Sequence, residues 1–277
     1  MMQPQKIAFI GGGKMGEAIF AGLLSSQEGP AAALTVHSFA IANPGLPRRE
    51  YLQKTYGVTC VANASELDAA DVVFIAVKPQ VIPGILEGLR ASRLFAGNPL
   101  FVSIAAGITT KTLMNLLPAG ARVVRTMPNT PLLIGRGMTA VVGDSGAAGE
   151  DVELVRQLFA CLGSAAVVPE VDMDAVCAVS GSGPAYVAAM VEALRDGGVA
   201  EGLSSELAEQ LALQTVLGTA CLIAETGQAP EDVRKAVCSP GGTTLAALDA
   251  MYAAGFTSVF AKGVSAAKKR SIELGAS

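Results

Sequence analysis

The chain has 277 residues, of which 51% are hydrophobic and 16% charged, and it carries a formal net charge of −4. At about 150 residues per domain, this length predicts one large domain or two ordinary ones. The high hydrophobic fraction excludes a disordered chain, and an acidic balance without a long basic run argues against a nucleic-acid partner.

The N-terminal segment MMQPQKIAFIGGG runs directly into a predicted strand and leaves no space for a cleavable signal peptide. The cysteines are widely spaced, without a CxxC motif, and His37 is the only histidine. This pattern predicts reduced thiols, no metal site and a cytoplasmic protein. We expect no catalytic role for His37, because a packed or partly exposed histidine at a strand end is the better explanation.

Short β-branched runs alternate with helix-like stretches up to about residue 170. Strands are predicted over 6–10, 34–39, 72–77, 100–105, 122–127, 138–142 and 165–169, and helices over 14–25, 48–56, 83–90, 109–117 and 150–162. Runs such as VVFIAV and LFVSIAA are apolar throughout, which is typical of a parallel sheet covered on both faces. The repeated units predict an α/β fold with a doubly wound, mostly parallel sheet that binds ligands at the carboxyl ends of its strands.

The segment GGGKMG at residues 11–16 fits the G-x-G-x-x-G pattern directly after a strand and at the start of a helix. Gly11 permits the tight turn, Gly13 lets a pyrophosphate approach the backbone, and Gly16 allows close packing of helix and strand. The helix N-terminus then offers free N–H groups to the phosphates. The alternative is a glycine turn that binds no nucleotide.

The second predicted strand ends at residues 37–39, where NAD-specific folds carry an acidic residue for the ribose 2′-hydroxyl. No acidic residue occurs between residues 29 and 49. Ser38, followed by Arg48 and Arg49, instead favours a 2′-phosphate, so we expect NADPH as the cofactor, with NADH as the alternative. The arginine pair is equally compatible with a solvated helix start.

The next strand ends carry small residues where a nicotinamide nucleotide is expected to pass. Lys78 and Pro79 follow VVFIAV, and Ala105 and Ala106 follow LFVSIAA. Lys78 is either a phosphate or ribose ligand or a charge at a helix start. In MPNTP at the end of the following strand, Asn129 is a candidate for binding substrate or nicotinamide, or for stabilising its own loop.

After residue 169 the strand pattern stops, and helices are predicted over 173–179, 185–196, 204–226, 230–237, 243–254 and 257–274. Helix 204–226 is apolar on more than one face, so it needs burial that a partner subunit would supply. Its most apolar stretch, 211–224, is shorter than the roughly 20 residues of a membrane span, so we expect no membrane partner.

The segment SPGGTT at residues 239–244 precedes the helix predicted over 243–254. Its glycines let several N–H groups point one way, and a helix N-terminus adds positive potential. We therefore expect a cradle for the carboxylate of an acidic substrate, to which Thr244 adds a hydroxyl. An ordinary N-cap explains the segment equally well.

The segments FIGGGKMGEAI, AVKPQ, AAGIT, MPNTP, SGSGPAY, ALRDGGV and SPGGTT follow one another across nearly the whole chain. Together they resemble the pyrroline-5-carboxylate reductase family, with SGSGPAY and SPGGTT as the most specific pair. The resemblance implies a dinucleotide-binding Rossmann domain over 1–169 and an all-α substrate-binding and dimerisation domain over 170–277. It also implies reduction of (S)-1-pyrroline-5-carboxylate to L-proline with NADPH or NADH, the final step of proline biosynthesis, by a homodimer that assembles further to a decamer of five dimers.

The resemblance also implies which residues form the sites. The expected cofactor-binding positions are Ile10, Gly11, Gly12, Gly13, Lys14, Met15, Ser38, Asn63, Ala76, Val77, Lys78, Pro79, Ile104, Ala105 and Ala106. The expected substrate-binding positions are Ser239, Gly241, Gly242, Thr243, Thr244 and Glu170. Thr244 is the candidate catalytic residue, because its hydroxyl can orient the imine or relay a proton. Ala236 stands where the family often has Asn, so that cofactor contact is not carried over.

Two other classes of protein remain as alternatives. A 3-hydroxyacid dehydrogenase also joins a dinucleotide-binding domain to a helical one, but it relies on a lysine in its helical domain. No lysine occurs between Lys111 and Lys235. A protein that senses NADP(H) would bind the nucleotide and turn over no imine.

Overall fold

The computed structural model describes residues 5–89, 92–143 and 147–276. The predicted end of the third helix, at residue 90, lies outside these ranges, as do residues 1–4 and 277 at the ends of the predicted domains. The chain divides into two compact units: one runs to Ser182 and includes residues from Ala267 onward, and the other is Gly183–Ala266. The predicted division between residues 169 and 170 concerns function and stays a prediction.

The first unit is built on a sheet whose described strands are β1 Ile7–Ile10, β2 Phe39–Ala42, β3 Thr59–Val61, β4 Val72–Ile75, β5 Leu100–Ser103, β6 Arg122–Met127, β7 Gly137–Val142 and β8 Gly163–Val168. The strand order is β3-β2-β1-β4-β5-β6-β7-β8. Every neighbouring pair is parallel except β6 and β7. The predicted fold class, a doubly wound and mostly parallel sheet, is confirmed.

The predicted strand at 34–39 is wrong. The strand β2 begins only at Phe39, and Val36–Ser38 before it form a single 3₁₀ turn. Phe39 pairs with Ile7 of β1 and Ala42 with Ile10, so the buried side chains of β2 come from this later segment. Pairing with β1 thus overrides the β-branched residues of the preceding stretch. The short edge strand β3 was not predicted.

Helices cover both faces of this sheet: α1 Lys14–Ser25, α2 Leu46–Tyr56, α3 Ile82–Gly88, α4 Thr110–Leu116 and α5 Gly149–Ala160. On one face, residues of α1, α2 and α5 enclose a core with stacked rings of Phe9 and Phe74, whose centroids are 4.7 Å apart. On the other face, α3 and α4 pack against alternate residues of β4 and β5. The sheet is therefore buried on both faces, as its uniformly apolar strands predict.

The remaining chain is helical, as predicted: α6 Met173–Val176, which continues into a π-helical turn at Cys177–Gly181, then α7 Gly183–Ala200, α8 Ser205–Thr226, α9 Pro230–Ala236, α10 Thr243–Ala253 and α11 Phe256–Ala276. The helices α7 and α8 pack against each other within the second unit. The end of α11 belongs to the first unit, where the buried Ser271 donates a hydrogen bond of 2.6 Å to Asp174.

The helix α8 leaves most of its apolar surface uncovered. Its buried residues are Ala208 and Ala212, whereas Leu207, Leu211, Leu213, Leu217 and Leu222 are exposed. By length and composition alone α8 could cross a membrane, and so could α10 and α11 together across a bend of 50°. The apolar length predicted for this helix, which counted only residues 211–224, is therefore too short. The same composition fits a helix packed between subunits.

Candidate active site

The glycine loop between β1 and α1 needs glycine at two positions for different reasons. Gly11 has a φ of +108°, and a Cβ there would collide with the Ala76 carbonyl oxygen. A Cβ on Gly16 would lie 2.6 Å from the Gly11 carbonyl oxygen, so the first turn of α1 packs directly on the loop. The side chains are thus missing where the backbone itself must make contact.

The start of α1 is open to an anion. Gly13 is its N-cap, without a side-chain hydrogen bond, and among the described residues no heavy atom beyond its chain neighbours lies within 4 Å of the position a Gly13 Cβ would take. The first N–H groups of a helix have no intrahelical acceptor, and their positive potential attracts phosphate. Free donors beside open space are the arrangement that a dinucleotide pyrophosphate needs.

A cavity of about 270 Å³ lies beside this loop and brings together several predicted cofactor positions, namely Ile10, Gly11, Asn63 and Val77. Ala42, the last residue of β2, lines it as well. The Asn63 side chain is exposed and donates a hydrogen bond of 2.7 Å to Glu66. The cavity lies at the carboxyl ends of β1 and β2, where this fold class places adenosine.

Ser38 is not among the residues that the structure brings together at this edge. It precedes β2, so it lies at the amino end of the sheet, opposite the glycine loop. Its hydroxyl accepts a hydrogen bond of 3.2 Å from the Thr35 backbone N–H. The expected position of Ser38 at the carboxyl end of a strand is wrong, because it depended on the misplaced second strand.

The carboxyl end of β2, where Ser38 was expected, is instead surrounded by the side chains of Asn43, Arg48 and Arg49. The Asn43 side-chain oxygen accepts a hydrogen bond from the Gly12 N–H at 3.3 Å. Arg48 Nε donates to the Gly12 carbonyl oxygen at 2.6 Å, whereas Arg49 Nη1 donates to the carbonyl oxygens of Asn43 and Pro44 at 2.8 and 2.7 Å. Asn43 was not predicted as a site residue, although it follows the last residue of β2 directly.

Arg48 also forms an ion pair with Glu17 in the first turn of α1, and Tyr56 donates a hydrogen bond of 2.8 Å to the same carboxylate. Burial by itself raises the pKa of Glu17, but the hydrogen bonds from Arg48 and Tyr56 outweigh it and hold the pKa below its usual value. Burial and the bond to Glu17 raise the pKa of Tyr56 to about 12. Glu17 is therefore an anion held by donors on α2.

The loops after β4 and β5 carry the predicted positions Ala76, Val77, Lys78 and Pro79 and Ile104, Ala105 and Ala106. Lys78 is exposed and Ala105 is buried. The neighbouring Gly107 has a φ of +76°, and a Cβ there would lie 3.0 Å from the Gly275 backbone nitrogen. The last turn of α11 thus packs against the loop that follows β5.

Asn129 stabilises its own loop, one of its two predicted roles. Its side-chain nitrogen donates to the Ser180 carbonyl oxygen at 3.1 Å, and its side-chain oxygen accepts from the Met138 N–H at 2.8 Å. These bonds connect MPNTP to SGSGPAY and to the start of β7. Both functional ends of the amide are occupied by the protein itself.

Glu170 lies in an ion pair whose other member, Arg125, is buried. Arg125 Nη1 on β6 donates to it at 2.5 Å, and both the hydroxyl and the N–H of Thr110, at the start of α4, donate to its carboxylate. Arg125 is only 3% exposed, and its Nε and Nη2 have no hydrogen-bond partner among the described residues. The predicted contact of Glu170 with substrate stays a prediction beside this observed structural role.

The segment SPGGTT lies in the second unit and begins α10 as predicted. Gly241 has a φ of +71°, and the Gly242 N–H donates to the Ser239 carbonyl oxygen at 3.0 Å, which closes a tight turn. Gly242 is the N-cap of α10 and has no capping side chain in the part of the chain that the structure describes. Among the described residues, no hydroxyl therefore caps the first N–H groups of α10, which have no acceptor within the helix. Thr244 is partly buried in that first turn.

Two family models match separate parts of the chain, one before and one after residue 169. Residues 170–274 match the model for pyrroline-5-carboxylate reductase dimerisation, and residues 6–107 match the model for coenzyme F420-dependent NADP oxidoreductases. The pyrroline-5-carboxylate reductase of Synechocystis is 42% identical over 98% of both chains, and that of Escherichia coli is 35% identical over 98% of both.

Solved structures agree with these relatives. The pyrroline carboxylate reductase of Plasmodium falciparum with NADP bound superposes with a TM-score of 0.86 at 28% identity, covering 99% of this chain and 100% of that one. The reductase of Coxiella burnetii also has a TM-score of 0.86, at 33% identity and 99% coverage of both chains.

Proposed function

The chain belongs to the pyrroline-5-carboxylate reductase family, and from that membership we propose how its residues perform the reaction. The protein is an oxidoreductase that reduces (S)-1-pyrroline-5-carboxylate to L-proline with NAD(P)H, by hydride transfer to a cyclic imine in the final step of proline biosynthesis. Its identity to reductases along the full length is the observation that carries this conclusion.

The cofactor would be held at the carboxyl edge of the sheet. The open N-terminus of α1 would bind the pyrophosphate, and the cavity beside Asn63 would take the adenosine. The small residues after β4 and β5 would face the ribose and nicotinamide. NADPH, or NADH as the alternative, supplies the hydride when it is bound.

The substrate carboxylate would be held by the N–H groups at the start of α10, because these donors have no capping side chain among the described residues. Thr244, in the same turn, would direct its hydroxyl to the ring nitrogen and relay a proton to it from water. An imine carbon is already electrophilic, so the main task of these residues is to hold it in position for hydride transfer.

The apolar residues exposed on α8 support assembly through the helical region, which matches a dimerisation model. We infer a homodimer that associates further to a decamer of five dimers, works in the cytoplasm and has neither a nucleic-acid nor a membrane partner. The division of roles at residues 169 and 170 belongs to the same proposal: the cofactor before it, the substrate and the dimer contacts after it.

An absorbance assay tests the reaction directly. The purified protein should oxidise NADPH only when pyrroline-5-carboxylate is present, and proline should form in equal amount. NADPH binding without any turnover would instead indicate a sensor. Oxidation of a 3-hydroxyacid with reduction of NADP⁺ would indicate the dehydrogenase class.

A further inference from the structure

Two adjacent arginines at the start of α2 have entirely different partners. Arg48 contacts both the glycine loop and the first turn of α1: its Nε donates to the Gly12 carbonyl oxygen at 2.6 Å, and its Nη2 is paired with Glu17. Its guanidinium also stacks over the Tyr51 ring, 5.1 Å from the ring centroid. The Arg49 side chain, by contrast, donates its hydrogen bonds only to the backbone carbonyl oxygens of Asn43 and Pro44 among the described residues.

The charge of Arg48 is already balanced. Glu17 lies in the first turn of α1, where an uncompensated carboxylate would repel a pyrophosphate at the helix N-terminus. Arg48 offsets that charge and at the same time fixes the direction of the Gly12 carbonyl. Both effects concern the pyrophosphate, which NADPH and NADH share, so neither distinguishes the two cofactors.

The charge of Arg49 has no acidic partner in the described part of the chain. Its two carbonyl bonds hold it immediately after β2, and Pro44, one of its acceptors, lines the cavity expected to take adenosine. In this fold class the residues after the second strand contact the ribose 2′ position. An arginine held there by neutral acceptors keeps its full charge for a 2′-phosphate.

We propose that the two arginines have separate roles in cofactor binding. Arg48 is a positioning residue for the glycine loop, and Arg49 provides the charge that selects NADPH over NADH. This inference rests on the proposed function for the identity of the cofactor. It assigns Glu17 and Tyr56 to the Arg48 network, since Glu17 pairs with the guanidinium and Tyr56 donates a hydrogen bond to Glu17.

Titration of the purified protein with NADPH and with NADH, followed by nicotinamide fluorescence in the absence of substrate, tests the division. Arg49→Gln should raise the Kd for NADPH about tenfold, or ~1.4 kcal/mol, and leave the Kd for NADH unchanged. Arg48→Gln should raise both Kd values by a similar factor of about ten, so that their ratio stays the same. Adding Glu17→Gln to Arg48→Gln should recover part of the loss for both cofactors, because it removes the exposed carboxylate.

A loss confined to NADPH in Arg48→Gln, or an equal loss for both cofactors in Arg49→Gln, would overturn the proposal. If Arg48→Gln does not fold, Arg48→Lys replaces it: one ammonium cannot span both partners, so a smaller and equal loss for both cofactors is expected, and a selective loss refutes the inference. These titrations are independent of turnover. A wild-type protein that binds both nucleotides without reducing the imine overturns the proposed function instead.

Discussion

Substitution of Glu170 by Gln should destabilise the protein strongly without changing its chemistry. The change removes the carboxylate that faces Arg125, which is 3% exposed and already has two nitrogens without a partner among the described residues. Removing one member of a buried ion pair costs ~3–5 kcal/mol. Because the Glu170 side chain is 26% exposed, we expect the lower end, about 3 kcal/mol.

The reverse substitution, Arg125→Met, should cost less. It leaves Glu170 with both donors of Thr110 and with access to solvent, so the expected loss is about 1–2 kcal/mol. The loss of about 3 kcal/mol expected for Glu170→Gln corresponds to a fall in melting temperature of roughly 6–12 °C for a protein of this size. We therefore expect Glu170→Gln to lower the free energy of unfolding more than Arg125→Met does, because the charge left unpaired by Glu170→Gln is the more deeply buried one.

Thermal unfolding and steady-state kinetics on the same preparations measure both consequences. Glu153→Gln is the control, since it removes a carboxylate from an exposed pair with Arg156 and should hardly change the melting temperature. The folded fraction of Glu170→Gln should keep its kcat/KM. An unchanged melting temperature together with a raised KM for pyrroline-5-carboxylate would refute the ion-pair argument and favour the substrate contact that the family resemblance implies.

Thr244→Ala should lower kcat/KM by roughly 10- to 100-fold, since it removes one hydrogen bond of about 1–3 kcal/mol to the reacting group, and a near-normal kcat/KM would reject the role. Leu213→Asp should impair assembly in analytical ultracentrifugation, because Leu213 is 56% exposed on α8; an unchanged oligomer would place the interface elsewhere. Ser38→Asp should leave the Kd for NADPH unchanged, since Ser38 lies at the opposite edge of the sheet from the glycine loop, and weaker binding would contradict that placement. Tyr56 has a pKa of about 12, raised above its unfolded value of roughly 10, so its contribution to stability is complete below about pH 10 and is lost as the pH rises towards 12. Urea denaturation of wild type and Tyr56→Phe across that window should show the difference in unfolding free energy disappearing; a constant difference would exclude the bond to Glu17 as its source.

The glycine loop could be predicted from the sequence because each of its constraints is local. Gly11, Gly13 and Gly16 lie within six consecutive residues, and the strand before them is short and uniformly apolar. The helices after residue 169 could be predicted for the same reason, since their periodicity is contained in each segment. The structure changes their ends by a few residues only.

The second strand could not be placed because two adjacent segments both suit a strand. Residues 34–38 contain the β-branched Thr35 and Val36, whereas β2 contains two alanines and is selected by pairing with β1. Because of this error, Ser38 was expected at the wrong end of the strand and Asn43 was not predicted as a site residue. Likewise, 45 residues separate Arg125 from Glu170, and nothing local to either residue predicts their contact.

The first unit is interrupted in sequence, since Gly183–Ala266 are inserted before its last helical turns. During synthesis the strands leave the ribosome first, then the whole helical unit, and only then the turn that carries Gly275. A chain of this kind begins to fold from its N-terminus while it is being made. The loop after β5, where Gly107 meets that turn, must therefore wait for residues translated long after it, so the first unit is the first to start folding and the last to be completed.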